Sequence, residues 1–158
     1  MKKIFTFCFV ALSAMMAQAQ VAVTFNVDMT GQTVDANGVH MAGNFSDVNY
    51  DGTAENAAHV NWNPSAIALA DQGNGIWSVT LNLIAERYEF KFINGNDWPF
   101  AEDVPPACQV EVAGNDNRFW SISGLNATES MTVCYASCAA CGENTVRFRV
   151  DMTQEAAG

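Results

Sequence analysis

Apolar residues recur in this chain at every second position, and no stretch beyond the first nineteen residues carries a helical period. Val21, Val23, Phe25, Val27 and Met29 alternate with Thr24, Asn26 and Asp28. Trp77, Val79, Leu81 and Leu83 alternate with Ser78, Thr80 and Asn82, and Tyr88, Phe90 and Phe92 alternate with Glu89, Lys91 and Ile93. A period of two is that of a half-buried strand, with one face in a core and the other toward water. Shorter strands are expected at 38–43, at Ile67 and Leu69, and at 109–112, 118–122 and 131–135. Turn-forming clusters separate them: residues 31–37, Asp71-Gln-Gly-Asn-Gly75 and Asn94-Gly95-Asn96-Asp97. Val104-Pro105-Pro106 interrupts the pattern, because proline cannot donate to a ladder. Seven or eight short strands with frequent turns predict an all-β sandwich.

The chain opens on Met1-Lys2-Lys3, an apolar run from Ile4 to Met16, and Ala17-Gln18-Ala19. This is the layout of a secretory signal peptide cleaved after Ala19. Its apolar run falls short of the roughly 20 residues that cross a bilayer. Residues 1–19 hold two lysines and no acid, so cleavage moves the formal charge from −10 to −12 and leaves 139 residues. That suits a single domain, and so acidic a surface excludes nucleic acid and anionic lipid as partners. The address expected is secreted or cell-surface, without membrane insertion.

Four cysteines remain: Cys108, Cys134, Cys138 and Cys141. In an exported chain an even count favours two disulfides, here with three connectivities open and Cys108 joined to one of the other three. The Cys134-x-x-x-Cys138-x-x-Cys141 spacing also fits an iron–sulfur loop, but such a cluster needs reducing conditions.

Among the four tryptophans, Trp77 shares a face with Val79, Leu81 and Leu83, and Trp120 shares one with Ile122, so both are assigned to the core. Trp62 and Trp98 lie beside turn residues. A flat indole is suited to the apolar C–H face of a sugar ring, and amides and ammonium groups to its hydroxyl edges. On this basis Trp98, Lys91 on the outer face of its strand, and the turn amides Asn94 and Asn96 form a candidate contact surface. The competing reading is a tryptophan that only covers a sandwich edge.

Asp47-Val-Asn49-Tyr-Asp51-Gly52-Thr53-Ala-Glu55 places oxygen ligands at the spacing of a calcium loop, so Asp47, Asn49, Asp51, Thr53 and Glu55 are candidate ligands. Position 12 is Ala58 where a bidentate Glu belongs, and an acidic surface loop is the competing reading. Calcium is the only cofactor suggested. No catalytic set is visible: His40 and His59 lack a nucleophile context, and the adjacent Glu102 and Asp103 would face opposite ways in a strand. Asn126-Ala-Thr128 is a glycosylation sequon, with a plain surface turn as the simpler reading. Finally, Val23-Thr-Phe-Asn-Val-Asp-Met-Thr30 returns as Val146-Arg-Phe-Arg-Val-Asp-Met-Thr153, six of eight positions identical. Residues 145–158 are therefore read as the first strand of a second copy, with further domains expected beyond Gly158.

Taken together, Gly38-Val-His-Met-Ala-Gly-Asn-Phe45, Trp62-Asn-Pro64, Gly75-Ile-Trp-Ser-Val-Thr-Leu81, Tyr88-Glu-Phe-Lys-Phe-Ile-Asn-Gly-Asn-Asp-Trp98 and Asn117-Arg118 carry a family resemblance. Over residues 21–138 the chain resembles the starch- and glycogen-binding modules of immunoglobulin-like (early-set) fold. The resemblance implies an antiparallel sandwich that binds α-glucan without catalysis, with Trp62 and Trp98 stacking on glucose rings and Lys91 and Asn117 bonding hydroxyls. The chain departs from the family in one respect: some sixteen residues separate Asn44-Phe45 from Trp62, where the family's tryptophan follows almost at once. Similar modules also recur as tandem units of large secreted bacterial proteins. The alternative function is thus a structural or adhesive repeat.

Overall fold

The computed structural model describes residues 20–45, 61–110, 116–139 and 141. The export signal, the calcium-like loop (Asp47, Asn49, Asp51, Thr53 and Glu55), His59 and the repeated strand at 145–158 lie outside the described residues.

Among the described residues, eight strands form two four-stranded sheets. In chain order they are β1 (Val21–Asp28), β2 (Val39–Gly43), β3 (Ile67–Ala68), β4 (Ala70–Gly73), β5 (Ile76–Leu83), β6 (Arg87–Asn94), β7 (Arg118–Ser121) and β8 (Thr128–Cys134). One sheet has the order β4-β5-β1-β8 and the other β3-β2-β6-β7. The all-β sandwich follows from the alternation. β1 buries Val21, Val23, Phe25 and Val27, while Ala22, Thr24, Asn26 and Asp28 stay half-exposed.

The structure corrects three details. Strands β1 and β8 pair in parallel, whereas every other strand pair is antiparallel. A parallel pair needs a long connection, which the six strands between them in the chain provide. Secondly, Asp71–Gly75 is not wholly a turn. β4 runs through Gly73, and the reversal is made by Gly73, Asn74 and Gly75, all with positive φ. Polar composition disguised β4 because it is an exposed edge strand with no face in the core. Finally, Gln109 and Val110 form no strand, and Val110 instead bonds its N–H to the Asn117 carbonyl.

The space between the sheets is filled by rings. Phe25 meets Phe45, Phe90 and Trp120 edge-on at 5.5, 5.1 and 5.4 Å, and Phe90 meets Phe92 likewise at 5.6 Å. Burying each such side chain stabilises the fold by about 1.5–3 kcal/mol. Trp77 and Trp120 are partly buried and pack on this core, as their alternation indicated. Gly43, at the end of β2, is required by space. An added Cβ would come within 2.5 Å of the Glu89 carbonyl oxygen and of the Phe45 ring.

At one edge the two sheets are joined by a buried ion pair. Glu102 and Arg118 are 1% and 3% exposed. Glu102 Oε1 accepts from Arg118 Nε at 2.8 Å and Oε2 from Nη2 at 2.7 Å, a bidentate fork. The carboxylate also accepts the Phe92 and Ala136 N–H groups, each at 3.0 Å, and Arg118 Nη2 donates to the carbonyls of Cys134 and Ser137. β6, β7 and the end of β8 are thereby tied together by groups whose hydrogen bonds are satisfied.

Disulfides Cys108–Cys138 and Cys134–Cys141 flank this pair, with Cα–Cα separations of 5.5 and 5.2 Å. They settle the connectivity that spacing left open. Two disulfides are typical of proteins in an oxidising, extracellular setting.

Candidate functional site

Strand β6 organises the candidate site because its alternation sends Tyr88, Phe90 and Phe92 inward and Glu89, Lys91 and Ile93 outward. The strand ends where expected, at Asn94, and Gly95 takes a positive φ of 140° that few other residues adopt. Asp97 then accepts the Trp98 N–H at 2.8 Å and starts a single 3-10 turn, Trp98–Phe100. Pro99 fits the first turn because it has no N–H to satisfy there. All three turn residues are exposed, Trp98 by 43% and Phe100 by 48%. The turn is short but well fixed. Phe100 and Ala101 donate backbone hydrogen bonds to the Asp97 and Trp98 carbonyls, and Ala101 bridges to Ile93. The Phe100 ring lies against Gly95.

Lys91 stands on the outer face as its register requires, but it is not a loose cation. Its Nζ lies 2.6 Å from an Asp116 carboxylate oxygen and 3.4 Å from the Glu102 carbonyl, and its side chain is 12% exposed. The hydrogen bond from Lys91, and secondarily its positive charge, holds the Asp116 carboxyl below its usual range against the opposing pull of desolvation. Ala42 and Ile93 also face outward by register yet are buried, as are Val104 and Val110. Glu102, whose carbonyl Lys91 meets, and Asp116, paired with its Nζ, narrow access to Lys91.

Asn94 is occupied as well: its amide oxygen accepts the Asp35 N–H and its amide nitrogen donates to the Thr33 carbonyl, both at 2.9 Å. It fastens the β1–β2 connection to the end of β6. Asn96, one residue past the glycine, is exposed. Asn117 lies just before β7 and faces Glu89, with 3.4 Å between its Nδ2 and a Glu89 carboxylate oxygen.

Trp62 is half-buried, and its backbone is left-handed at φ 52. For a bulky residue this is a costly conformation of the kind that gathers at functional positions. Its N–H bonds the Gly43 carbonyl at 2.9 Å. Gly43 pairs with Phe90, whereas the turn bearing Trp98 follows Asn94, which pairs with Val39. Four residue steps along β6 therefore separate the two backbone anchors, about 13 Å at the usual strand rise. A ligand touching both indoles would be an oligomer rather than a single ring.

Two aromatic residues escaped the sequence reading. Phe100 lacked a strand register to place it, and only its position after an exposed proline hinted at it. Phe119 is 42% exposed on β7, and the Arg87 guanidinium covers its ring at 4.3 Å. That cation already uses one face of the Phe119 ring. Among the described residues there is no cluster of three or more histidine, cysteine, aspartate or glutamate side chains able to hold a metal ion. Nor does any described helix have the length and apolarity to cross a membrane.

Part of a glucoamylase has a similar fold. The chain superposes on a glycoside hydrolase family 15 glucoamylase from Hypocrea jecorina with a TM-score of 0.50 and 22% identity. The match covers 77% of this chain and 18% of the glucoamylase chain. At that identity the likeness concerns the fold, and this chain spans under a fifth of the larger protein. No family model matches the chain, and no curated protein does.

Proposed function

We propose that this chain is an exported, non-catalytic carbohydrate-binding module whose ligand is an α-glucan of several sugar units. The observation that carries the reading is the exposure of Trp98, together with Phe100, on a turn fixed to the end of a core strand. Indoles and phenyl rings held in water on a rigid base offer area for stacking at little entropic cost. Asn96 stands beside them, and Trp62 supplies a second indole in a strained backbone at the far end of β2. The fold likeness to part of a glucoamylase agrees with a carbohydrate ligand. Lys91, Asn94 and Asn117 contribute mainly by shaping the surface, because each is already engaged by protein groups. Glu102 is locked to Arg118 and Asp103 is exposed, an arrangement unlike a glycosidase pair.

One observation favours a second reading, a structural or adhesive repeat unit. Lys91 and Asn94, the polar groups nearest Trp98 on β6, are committed to internal bonds. Affinity electrophoresis in gels containing soluble starch separates the two. The α-glucan reading expects the parent chain to be retarded, Trp98→Ala to lose about tenfold in affinity, or 1.4 kcal/mol, and Phe100→Ala to lose less. Free migration of the parent chain removes starch as the ligand and leaves the spacer.

A further inference from the structure

We infer that the disulfide-closed segment Cys134–Cys141 positions the aromatic turn Trp98–Phe100, with Tyr135 as its positioning residue. The importance of this for binding rests on reading that turn as the ligand contact; the positioning itself does not. The hydrogen bonds inside the turn are local, joining Asp97, Trp98, Phe100 and Ala101 to one another. Its attachment to the rest of the fold includes a contact from far along the chain. The Tyr135 hydroxyl donates to the Phe100 carbonyl at 2.9 Å across 35 residues.

The next two residues repeat the pattern. Ala136 donates its N–H to Glu102, two residues past the turn, and the Ser137 carbonyl accepts from Arg118, the partner of Glu102. Three consecutive residues thus grip positions 100, 102 and 118. To present them, Ala136 adopts a left-handed backbone at φ 51, which an L-residue with a side chain resists. The covalent frame holds it there. Cys134 and Cys141 close the segment, Cys138 is bonded to Cys108, and the Tyr135 N–H extends the β1–β8 ladder by bonding the Asp28 carbonyl. A stacking residue fixed before the ligand arrives spares the ordering cost at binding, which is the advantage this frame gives the turn.

Tyr135→Phe keeps the ring and removes only the donor. Amide hydrogen exchange at Phe100 and Ala101 is expected to speed up about fivefold, the factor that loss of one hydrogen bond implies. Amides of β1 should exchange as before. The double variant Cys134→Ala/Cys141→Ala should show a larger acceleration at the same two amides. Titration with maltoheptaose should give a several-fold weaker Kd for Tyr135→Phe at an almost unchanged melting temperature. Unchanged exchange at Phe100 and Ala101 in both variants would overturn the inference. Faster exchange with maltoheptaose affinity equal to that of a binding parent chain would uphold the positioning and overturn its importance for binding. If the parent chain does not bind maltoheptaose, the α-glucan reading fails while the exchange result alone decides whether the segment holds the turn.

Discussion

Replacing Glu102 by glutamine tests the ion pair that closes the sandwich edge. The substitution keeps the shape of the side chain but removes its charge, leaving the buried Arg118 guanidinium uncompensated. It also replaces one of two acceptor oxygens by a donor, so one of the Phe92 or Ala136 N–H groups faces an NH2 group. Removing one member of a buried pair typically costs about 3–5 kcal/mol, because the surviving charge stays desolvated. For a domain of this size each kcal/mol lowers Tm by about 4 °C, so the drop expected is about 12–20 °C. Urea denaturation followed by tryptophan fluorescence gives the free energy directly. The companion double variant, Glu102→Leu with Arg118→Met, removes both charges and should recover part of the loss, since no charge stays buried alone, while the Phe92 and Ala136 N–H groups and the Cys134 and Ser137 carbonyls lose these side-chain partners. A single Glu102→Gln variant that loses less than about 1 kcal/mol, with an unchanged denaturant slope, would refute the claim that this edge depends on a dry ion pair.

Gly43→Ala should destabilise by about 1–3 kcal/mol in the same urea assay, since the new methyl meets backbone and ring atoms rather than a yielding side chain. Asp116 has a lowered pKa in the fold, so its pairing with Lys91 stabilises above the ordinary carboxylate value of 3.8 and loses that effect as pH falls through the folded value. Asp116 is half-exposed, so the cost of Asp116→Asn at neutral pH should stay below about 1 kcal/mol, and thermal melts of variant and parent should converge in acid. Tyr135 has the opposite shift. Burial, and next the charge of Glu102, raise its pKa above 10.0. Its contribution is therefore complete below the unfolded value and is lost as pH climbs through the folded one. Compared with the parent, Tyr135→Phe should lose one late-ionising group in an ultraviolet titration.

The alternation in β1, β5 and β6 made the sandwich legible, because a strand with one face in a core must place apolar residues two apart. It also assigned Trp77 and Trp120 to the core and kept Trp98 outside. β4 was hidden for the complementary reason: an edge strand with both faces wet carries no such pattern. The candidate site was legible at Trp98, whose turn chemistry is written in Asn94-Gly95-Asn96-Asp97. Phe100 was not, since a residue past a proline has no register to say which way it points. Lys91 and Asn94 were correctly placed on β6, yet their bonds to Asp116, Thr33 and Asp35 join residues far apart in sequence. Such partners become visible only when the chain has folded.

Local chemistry by itself determined the class of fold, the inward rings of β6 and the turn that lifts Trp98 into water, because each depends on neighbours one to four residues apart. The tertiary structure alone decided the parallel pairing of β1 with β8, the Cys108–Cys138 and Cys134–Cys141 bonds, and the union of Glu102 with Arg118. Each of these depends on which distant segments meet at one edge of the sandwich. That is fixed by how two sheets bury their shared face, which no local pattern encodes.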